Sequence, residues 1–264
     1  MEEEKTRLEK RLDEHLERAL SMRPFSKDKL MPNLLLVGSF GTGKSYITSK
    51  WAKRNGINLV DIGIEGWEGS LREWVFTSII RPNTVLNFYR FDNSDKKTRA
   101  LFSDLMERHV LQTSLGEMFL PEILFSIATV WPPEDESSDS GEPLTEEEEQ
   151  KFERYNVNCY KDEFLRYVND YYAAKIESAK KEGDGEYALR LQRSAAMTNH
   201  IVKDPRFQFQ SDAGDPTYNG FFRLMRFSGG EKKKVLKYWN FCHAPNLKPV
   251  IEEILSDYSD DTEE

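Results

Sequence analysis

Hydrophobic spacing near the start of the chain predicts an amphipathic helix. Leucines recur there at every fourth position, as Leu8, Leu12, Leu16 and Leu20. This period places them on one face of a helix over residues 2–21, and that face is expected to pack on the body of the domain. A short coiled-coil contact is the alternative for the same stripe.

Short apolar runs further along the chain indicate buried strands, because they are too short for helices and are bounded by turn-forming residues. The predicted strands are residues 34–37, 58–64, 85–91 and 123–130. Helices are predicted between them, notably over 44–54 and 97–111. Parallel strands joined by helices form a sheet with helices on both faces, so the predicted fold class is α/β.

The composition changes after the last predicted strand. Residues 132–149 are rich in Pro, Ser, Asp and Glu, which predicts a flexible acidic surface loop. The later segments are predicted to be helices over 162–181, 186–203 and 231–241, a short turn over 250–255 and a mobile acidic tail over 256–264. The predicted organisation is an N-terminal helix in 1–30, an α/β core in 31–160, a helical domain in 161–255 and the tail.

The glycine-rich segment after the first predicted strand carries the strongest chemical signal. It is Gly38-Ser39-Phe40-Gly41-Thr42-Gly43-Lys44-Ser45, of the form G-x-x-x-x-G-K-[ST], between a predicted strand and a predicted helix. Glycines let the backbone turn tightly so that its N–H groups point at a phosphate, and the helix adds its positive end. The motif predicts that ATP binds here with Mg²⁺. A chance glycine turn before a helix is the alternative, and the complete motif disfavours it.

Each residue type in this loop has an expected task. Lys44 is expected to place its ammonium between the β- and γ-phosphates, and the Ser45 hydroxyl to coordinate magnesium. The backbone from Ser39 to Gly43 is expected to cradle the phosphate oxygens, and Tyr46 is assigned to the same nucleotide site.

An acidic residue after a neighbouring strand is the second part of such a site. The apolar run 85–91 leads to Asp92, which is expected to hold the magnesium shell together with Ser45. A Glu commonly follows in hydrolases of this kind, and here that position holds Asn93. An amide cannot accept a proton, so general-base catalysis is lost there and hydrolysis is predicted to be weak. Asp95 in the following loop is an alternative carboxylate.

On these residues the chain resembles the AAA+ ATPases, particularly the MoxR-like and dynein-related branch. The resemblance covers about residues 30–240; it rests on the glycine motif, on Phe91-Asp92-Asn93 followed by a helix, and on residues 127–132. It implies a P-loop NTPase αβα core with a C-terminal helical lid. It also implies ATP bound next to a neighbouring subunit in a homo-oligomeric ring, typically a hexamer.

The resemblance assigns roles to residues that depart from the family pattern. Trp131 stands where the family has a phosphate-sensing Asn, and Lys151 where it has the arginine finger that reaches a neighbouring subunit. Arg154 serves as the finger if the alignment slips by three residues, and an ordinary surface Arg is the alternative. Arg223 is the candidate for the lid arginine. Nucleotide binding is therefore supported better than hydrolysis.

Three functions remain open at this point. The preferred one is an ATP-driven or ATP-switched remodelling or assembly factor with weak hydrolysis. The second is a nucleotide-dependent binding or scaffold protein that does not hydrolyse ATP, supported by Asn93, Trp131 and Lys151. The third is a P-loop kinase of small metabolites, although no segment resembles an Arg-rich acceptor-binding lid.

Charge and cysteine content restrict the expected classes of partner and the expected cellular compartment. A formal net charge of −9 argues against a protein that coats nucleic acid by bulk charge, so a protein partner is favoured over nucleic acid, and both classes stay open. The lysines at 232–237 are interpreted as a solvated helix face. Cys159 and Cys242 have no CxxC spacing, and the charged start cannot be a signal peptide. No apolar run approaches the ~20 residues that span a bilayer, so a cytoplasmic protein without a membrane contact is expected.

A second glycine segment is a potential source of confusion. It is Phe227-Ser228-Gly229-Gly230-Glu231, which is similar to the signature loop in the nucleotide-binding domains of ABC transporters. In those proteins the loop precedes the Asp-bearing strand, whereas here it follows Asp92 by more than a hundred residues. A turn that starts the next helix is the preferred interpretation.

Overall fold

The computed structural model describes residues 4–26, 29–38, 41–63, 71–78, 81–131, 144–209, 218–239 and 247–258. The chain divides into two compact units. The first comprises Met1–Ser39 and Gly43–Val157, and the second comprises Phe40–Thr42 and Asn158–Glu264.

The first unit contains all of the described strands. In chain order its elements are α1 Arg7–Ser21, β1 Asn33–Val37, α2 Lys44–Arg54, β2 Asn58–Gly63, α3 Leu71–Ser78, β3 Thr84–Tyr89, a 3-10 turn Phe91–Asn93, α4 Lys96–Arg108, β4 Val110–Thr113, β5 Gly116–Phe119, β6 Ile123–Val130, α5 Glu146–Glu149 and β7 Phe152–Asn156. Five strands form a sheet in the order β2-β3-β6-β1-β7, and every pair in it is parallel. The predicted α/β fold is confirmed.

Alternation along β1 explains why helices cover both faces of this sheet. Leu34 and Leu36 lie in one apolar cluster with side chains of α1 and α2. Leu35 and Val37 lie in a second cluster with side chains of α3 and α4. Because successive side chains of a strand point to opposite faces, a strand buried on both faces reads as a continuous apolar run.

Helix α1 begins later than predicted because a capping box fixes its start. Thr6 accepts a hydrogen bond from the Glu9 N–H, and the Glu9 side chain accepts one from the Thr6 N–H. The predicted apolar stripe is correct for its first three leucines, but Leu20 is 44% exposed. A four-residue step advances about 40° around a helix of 3.6 residues per turn, so the stripe drifts and Ala19 is buried in place of Leu20.

The helix predicted over 97–111 ends early, at Arg108. His109 adopts a left-handed conformation, with φ 51°, and its N–H donates to the Asp104 carbonyl. The chain then enters β4, which pairs with β5 in an antiparallel hairpin. Val110 and Leu111 are therefore buried strand residues and not part of a helix.

The strand predicted over 85–91 also ends two residues early. Tyr89 is its last residue, and Arg90 takes a left-handed conformation with φ 48°. Asp92 consequently lies in a short 3-10 turn after the strand. The predicted second strand is described only to Gly63, since Ile64 lies outside the described residues.

Strand β7 was not predicted. Its five residues follow the turn α5 and pair with β1 in register, with Leu35 opposite Arg154. The strand lies at the sheet edge and carries Glu153 and Arg154, as edge strands often do. Charged edge strands lack the continuous apolar run from which a central strand is predicted. Residues 132–143 of the predicted acidic loop lie outside the described residues.

The second unit is helical among its described residues. Its helices are α6 Lys161–Lys181, α7 Gly185–Lys203, α8 Tyr218–Ser228, α9 Lys232–Lys237 and α10 Lys248–Ser256. They enclose one apolar core, in which Phe164, Tyr172 and Trp239 are among the largest buried side chains. The predicted C-terminal helical region is confirmed. Helix α8 was foreseen only as the location of Arg223, and the turn predicted over 250–255 is a full helix.

None of the helices in the described ranges combines the length and the apolar character needed to cross a bilayer.

Candidate functional site

The glycine loop lies where the strand order of the sheet reverses. Strands β2, β3 and β6 lie on one side of β1, and β7 lies on the other. In open α/β sheets, the crevice outside the carboxyl ends of the strands at such a reversal is the usual ligand site. The Gly38 N–H donates to the Val130 carbonyl at 3.2 Å, which joins the start of the loop to the end of β6.

Positive φ angles shape the loop where it enters α2. Gly41 has φ 83° and Gly43 has φ 87°, a region that residues with a Cβ rarely adopt. Gly43 is the N-cap of α2, and the first turn of this helix contains no acidic residue. Ser39 and Phe40 lie outside the described residues, so their predicted roles stay predictions.

Lys44 folds back over the loop. Its side chain is buried, and Nζ donates a hydrogen bond to the Gly38 carbonyl. Ser45 and Tyr46 follow on the exposed side of the first turn of α2. An ammonium and a helix N-terminus at one loop are two features that attract an anion.

Asp92 is held by one of its two carboxylate oxygens. The Trp131 backbone N–H donates to Oδ2 at 2.9 Å, which ties the 3-10 turn to the end of β6. Oδ1 is buried and accepts no hydrogen bond among the described residues. A buried carboxylate oxygen without a hydrogen bond is costly, and a cation or an ordered water is the usual way to satisfy it.

Arg90 lies against the same carboxylate. Its Nε is 3.7 Å from Asp92 Oδ1, and its Cζ is 3.6 Å from the centroid of the Trp131 ring. The Arg90 N–H donates to Thr129 Oγ1 at 3.2 Å. Arg90 was not identified from the sequence as a candidate site residue. Its position at the carboxyl end of a parallel strand was the available signal, because that is where such sheets bind ligands.

Asn93 and Asp95 follow in the turn before α4. The Asn93 N–H donates to the Arg90 carbonyl at 2.8 Å and closes the 3-10 turn. Asp95 is the N-cap of α4 and accepts the Thr98 backbone N–H at 2.9 Å and the Thr98 hydroxyl at 2.8 Å. These bonds from Thr98 lower the pKa of Asp95. The alternative carboxylate is thus occupied as a helix cap.

A polar network joins β3 to β2 and α2. Asp61 accepts hydrogen bonds from Asn87 Nδ2 at 2.9 Å and from the Tyr89 hydroxyl at 2.8 Å. Burial and the bond to Asp61 raise the pKa of Tyr89 well above its usual value, and Ser49 of α2 bonds the same hydroxyl. Sequence reasoning missed this network, because its members are adjacent only after the strands pair.

The two candidate finger residues contact carboxylates of their own chain. Lys151 Nζ is 3.0 Å from Glu107 Oε1, and Arg154 Nη1 is 3.1 Å from Glu149 Oε2. The structure therefore brings Gly38, Lys44 and Asp92 into one network through the end of β6, and it places Lys151 and Arg154 in separate surface ion pairs. Arg223 is an exposed residue of α8 in the second unit.

The second glycine segment packs within the helical unit. Gly230 has φ 75°, and a Cβ on it would lie 2.5 Å from the Arg193 carbonyl carbon. Arg190 Nη2 donates to the Phe227 carbonyl at 3.2 Å. The glycines serve close packing on α7, which agrees with the interpretation as a turn that starts a helix.

Within the described part of the chain, no group of three or more His, Cys, Asp and Glu side chains is arranged to hold a metal ion. No protein-family model matches the chain, and a search of curated proteins finds no match.

Proposed function

We propose that this chain binds ATP with magnesium at the loop between β1 and α2, and that it is an ATP-driven or ATP-switched remodelling or assembly protein with weak hydrolysis. One observation carries the proposal. A glycine turn with a buried lysine lies at the carboxyl end of β1, where the strand order reverses. It is connected through the end of β6 to the Asp92 carboxylate, which has a buried oxygen without a hydrogen bond among the described residues.

The anion side of the site fits a polyphosphate. Gly41 and Gly43 have the positive φ that a phosphate-cradling backbone requires, and Lys44 lies over the loop. The first turn of α2 carries no carboxylate, so nothing in that turn neutralises the positive end of the helix. Bound ATP would place its negative charge next to these donors.

The cation side fits magnesium. Magnesium is a hard cation that takes oxygen ligands, commonly one or two carboxylates together with phosphate and water. Asp92 Oδ1 is such an oxygen, and the exposed Ser45 hydroxyl is a second donor at the start of α2. These two residues would hold the ion when nucleotide is present.

The resemblance to AAA+ ATPases supports the remodelling part of the proposal. Under it, the second unit is the helical lid, and Lys151 or Arg154 reaches the nucleotide of a neighbouring subunit. Both residues are held by half-exposed ion pairs, which are worth about 0–1 kcal/mol each. Such pairs exchange readily for a phosphate, so they leave both residues available to a second copy of the chain.

A nucleotide-dependent binding protein without turnover is the second candidate. Asn93 follows Asp92 in the 3-10 turn, at the position where the family commonly has a water-activating Glu, and Asp95 is bound as a helix cap. Both features favour weak hydrolysis, and neither argues against nucleotide binding.

Calorimetric titration with ATP, ADP and AMP, each with magnesium and with EDTA, tests binding. ATP with magnesium is expected to bind, and AMP, which lacks the distal phosphates, is the matched negative control. Light scattering at high protein concentration then tests assembly, with a rise in mass expected on adding ATP and magnesium. Absence of heat with ATP would reject the nucleotide site, and a constant mass despite binding would reject the ring.

A further inference from the structure

Arg90 adopts a backbone conformation that calls for an explanation. It has φ 48° and ψ 51°, although it is neither glycine nor one of the residues that commonly occupy this region. Its N–H donates to Thr129 Oγ1, which fixes the end of β3 against the end of β6. Such conformations cost free energy and cluster at functional sites, where the side chain must point in a set direction.

The guanidinium of Arg90 is held against an aromatic ring, and its Nε has no hydrogen bond within the described part of the chain. It stacks on Trp131 with Cζ 3.6 Å from the ring centroid, and its Nε is buried without a hydrogen-bond acceptor among the described residues. The 3.7 Å between Nε and Asp92 Oδ1 is an ion-pair distance that is too long for a hydrogen bond. The guanidinium, a planar group with five N–H donors, thus pairs with this carboxylate by charge and not through a hydrogen bond from Nε.

The location of this arginine places it beside the proposed phosphate site. Gly38 bonds to the Val130 carbonyl, Trp131 is the next residue, and the Trp131 N–H holds Asp92. The glycine loop, the stacked arginine and the carboxylate therefore meet at the carboxyl ends of the adjacent strands β1, β6 and β3.

We propose that Arg90 contacts the terminal phosphate of the bound triphosphate from within the same chain, and that Trp131 is the positioning residue that holds its guanidinium. The inference rests on the proposed function. It accounts for Trp131 at the end of β6, because an aromatic ring orients a guanidinium and an Asn at that position does not. A planar fork is suited to bind two phosphate oxygens at once, which an ammonium such as that of Lys151 does not do.

The affinities of ATP and ADP separate this role from a structural one. In Arg90→Gln, ATP affinity is expected to fall about 10- to 100-fold, as for a lost charge-assisted hydrogen bond, while ADP affinity changes less than about threefold. Trp131→Leu is expected to shift the same ratio in the same direction by a smaller factor. Arg108→Gln, which removes a surface arginine paired with Asp104 and Glu117, is the matched control.

Several outcomes would overturn the proposal. An equal loss of ATP and ADP affinity in Arg90→Gln would make Arg90 a structural residue, and unchanged affinities would remove it from the site. If Arg90→Gln fails to fold, Arg90→Lys keeps the charge without the planar fork, and an unchanged ATP-to-ADP ratio in it contradicts the proposal. Tryptophan emission gives a second measurement: ATP is expected to change it more than ADP, and Trp131→Phe is expected to abolish the difference. Wild-type protein that binds neither nucleotide would instead reject the proposed function itself.

Discussion

Two glycine turns in this chain lead into helices that begin with lysine, and they lie in different surroundings. Gly43 has φ 87° and directly precedes Lys44, the first residue of α2. Gly230 has φ 75° and lies two residues before Lys232, the first residue of α9. The first turn follows a buried parallel strand, whereas the second follows helix α8. The residue types are nearly the same, so the preceding element and the surroundings distinguish the two.

The surroundings of the two turns differ. At Gly230 the backbone of α7 fills the space that a side chain would need, so glycine is required there for close packing. At the first turn, Lys44 folds over the loop and the carboxyl ends of parallel strands lie alongside. A glycine turn becomes a candidate ligand site where sheet topology creates a crevice, and it becomes a packing device where a neighbouring helix occupies that place.

The largest expected effect concerns chemistry beside the first turn, at Asn93 in the 3-10 turn after β3. Under the proposed function, wild-type protein is expected to hydrolyse ATP slowly or not at all, because the amide of Asn93 can orient a water but cannot accept its proton. Asn93→Glu is expected to raise turnover by about 10²-fold or more, as general-base assistance typically does. Steady-state phosphate release from both proteins checks this, with Asn93→Gln as the control that keeps the amide. Ordinary ATPase rates in wild type and no gain in the Glu variant would show that position 93 was misassigned.

Stability distinguishes the second turn from an unconstrained glycine. Gly230→Ala is expected to lower the free energy of unfolding by about 2–4 kcal/mol, since it adds a backbone clash to the cost of a left-handed alanine. Gly183→Ala is the matched control at φ 77°, because nothing lies within 4 Å of its added Cβ. It is expected to cost only the left-handed conformation, about 1–2 kcal/mol. Equal losses in urea denaturation of the two variants would contradict the packing role.

Substituting the first lysine of α2 or of α9 compares the two turns by their effect on ATP affinity. Under the proposed function, Lys44→Ala is expected to reduce ATP affinity by about 10- to 100-fold, because the ammonium would contact the phosphates. The protein is expected to stay folded, because Nζ bonds to the loop carbonyl of Gly38 and not to the apolar core. Lys232→Ala is expected to leave ATP affinity unchanged. Calorimetry on both variants, with circular dichroism to verify folding, measures the difference. An unchanged affinity in folded Lys44→Ala would reject the binding-site assignment.

Acid is expected to weaken the unit that carries the first turn. His15 and His109 are buried there, and burial lowers the pKa of each from 6.5 to about 4. Between these values the unfolded chain binds more protons than the folded one, so stability is lost as the pH falls from about 6.5 to 4. The loss at pH 5 is expected to be about 1–2 kcal/mol per histidine.

Hydrogen exchange at pH 7 and pH 5, corrected for intrinsic rates, measures this loss separately in α2 and α7. Protection is expected to fall more in α2. His109→Asn removes a titrating group while tolerating the positive φ, and it is expected to reduce the difference. Equal loss in both helices would contradict the assignment of acid sensitivity to the first unit.

The local pattern of apolar residues was sufficient to predict the strands that are buried along their whole length. Strands β1 and β6 are buried along their whole length, and their apolar runs marked them correctly. Edge strand β7 and the hairpin β4–β5 were missed, because a half-exposed strand carries charges and has no distinctive run. The end of α4 was missed for a different reason. His109 ends the helix by adopting a left-handed backbone conformation, which its residue type alone does not predict.

The sequence by itself determined the α/β class, the helical C-terminal region and the position of the glycine motif between a strand and a helix, because these follow from local periodicity and short-range chemistry. Only the tertiary structure decided that Trp131 holds Asp92, that Arg90 stacks on Trp131 and that Gly230 packs against Arg193. Each of these contacts joins residues about forty positions apart. They depend on strand order and helix packing, which are set by the burial of the whole apolar core and not by any one segment.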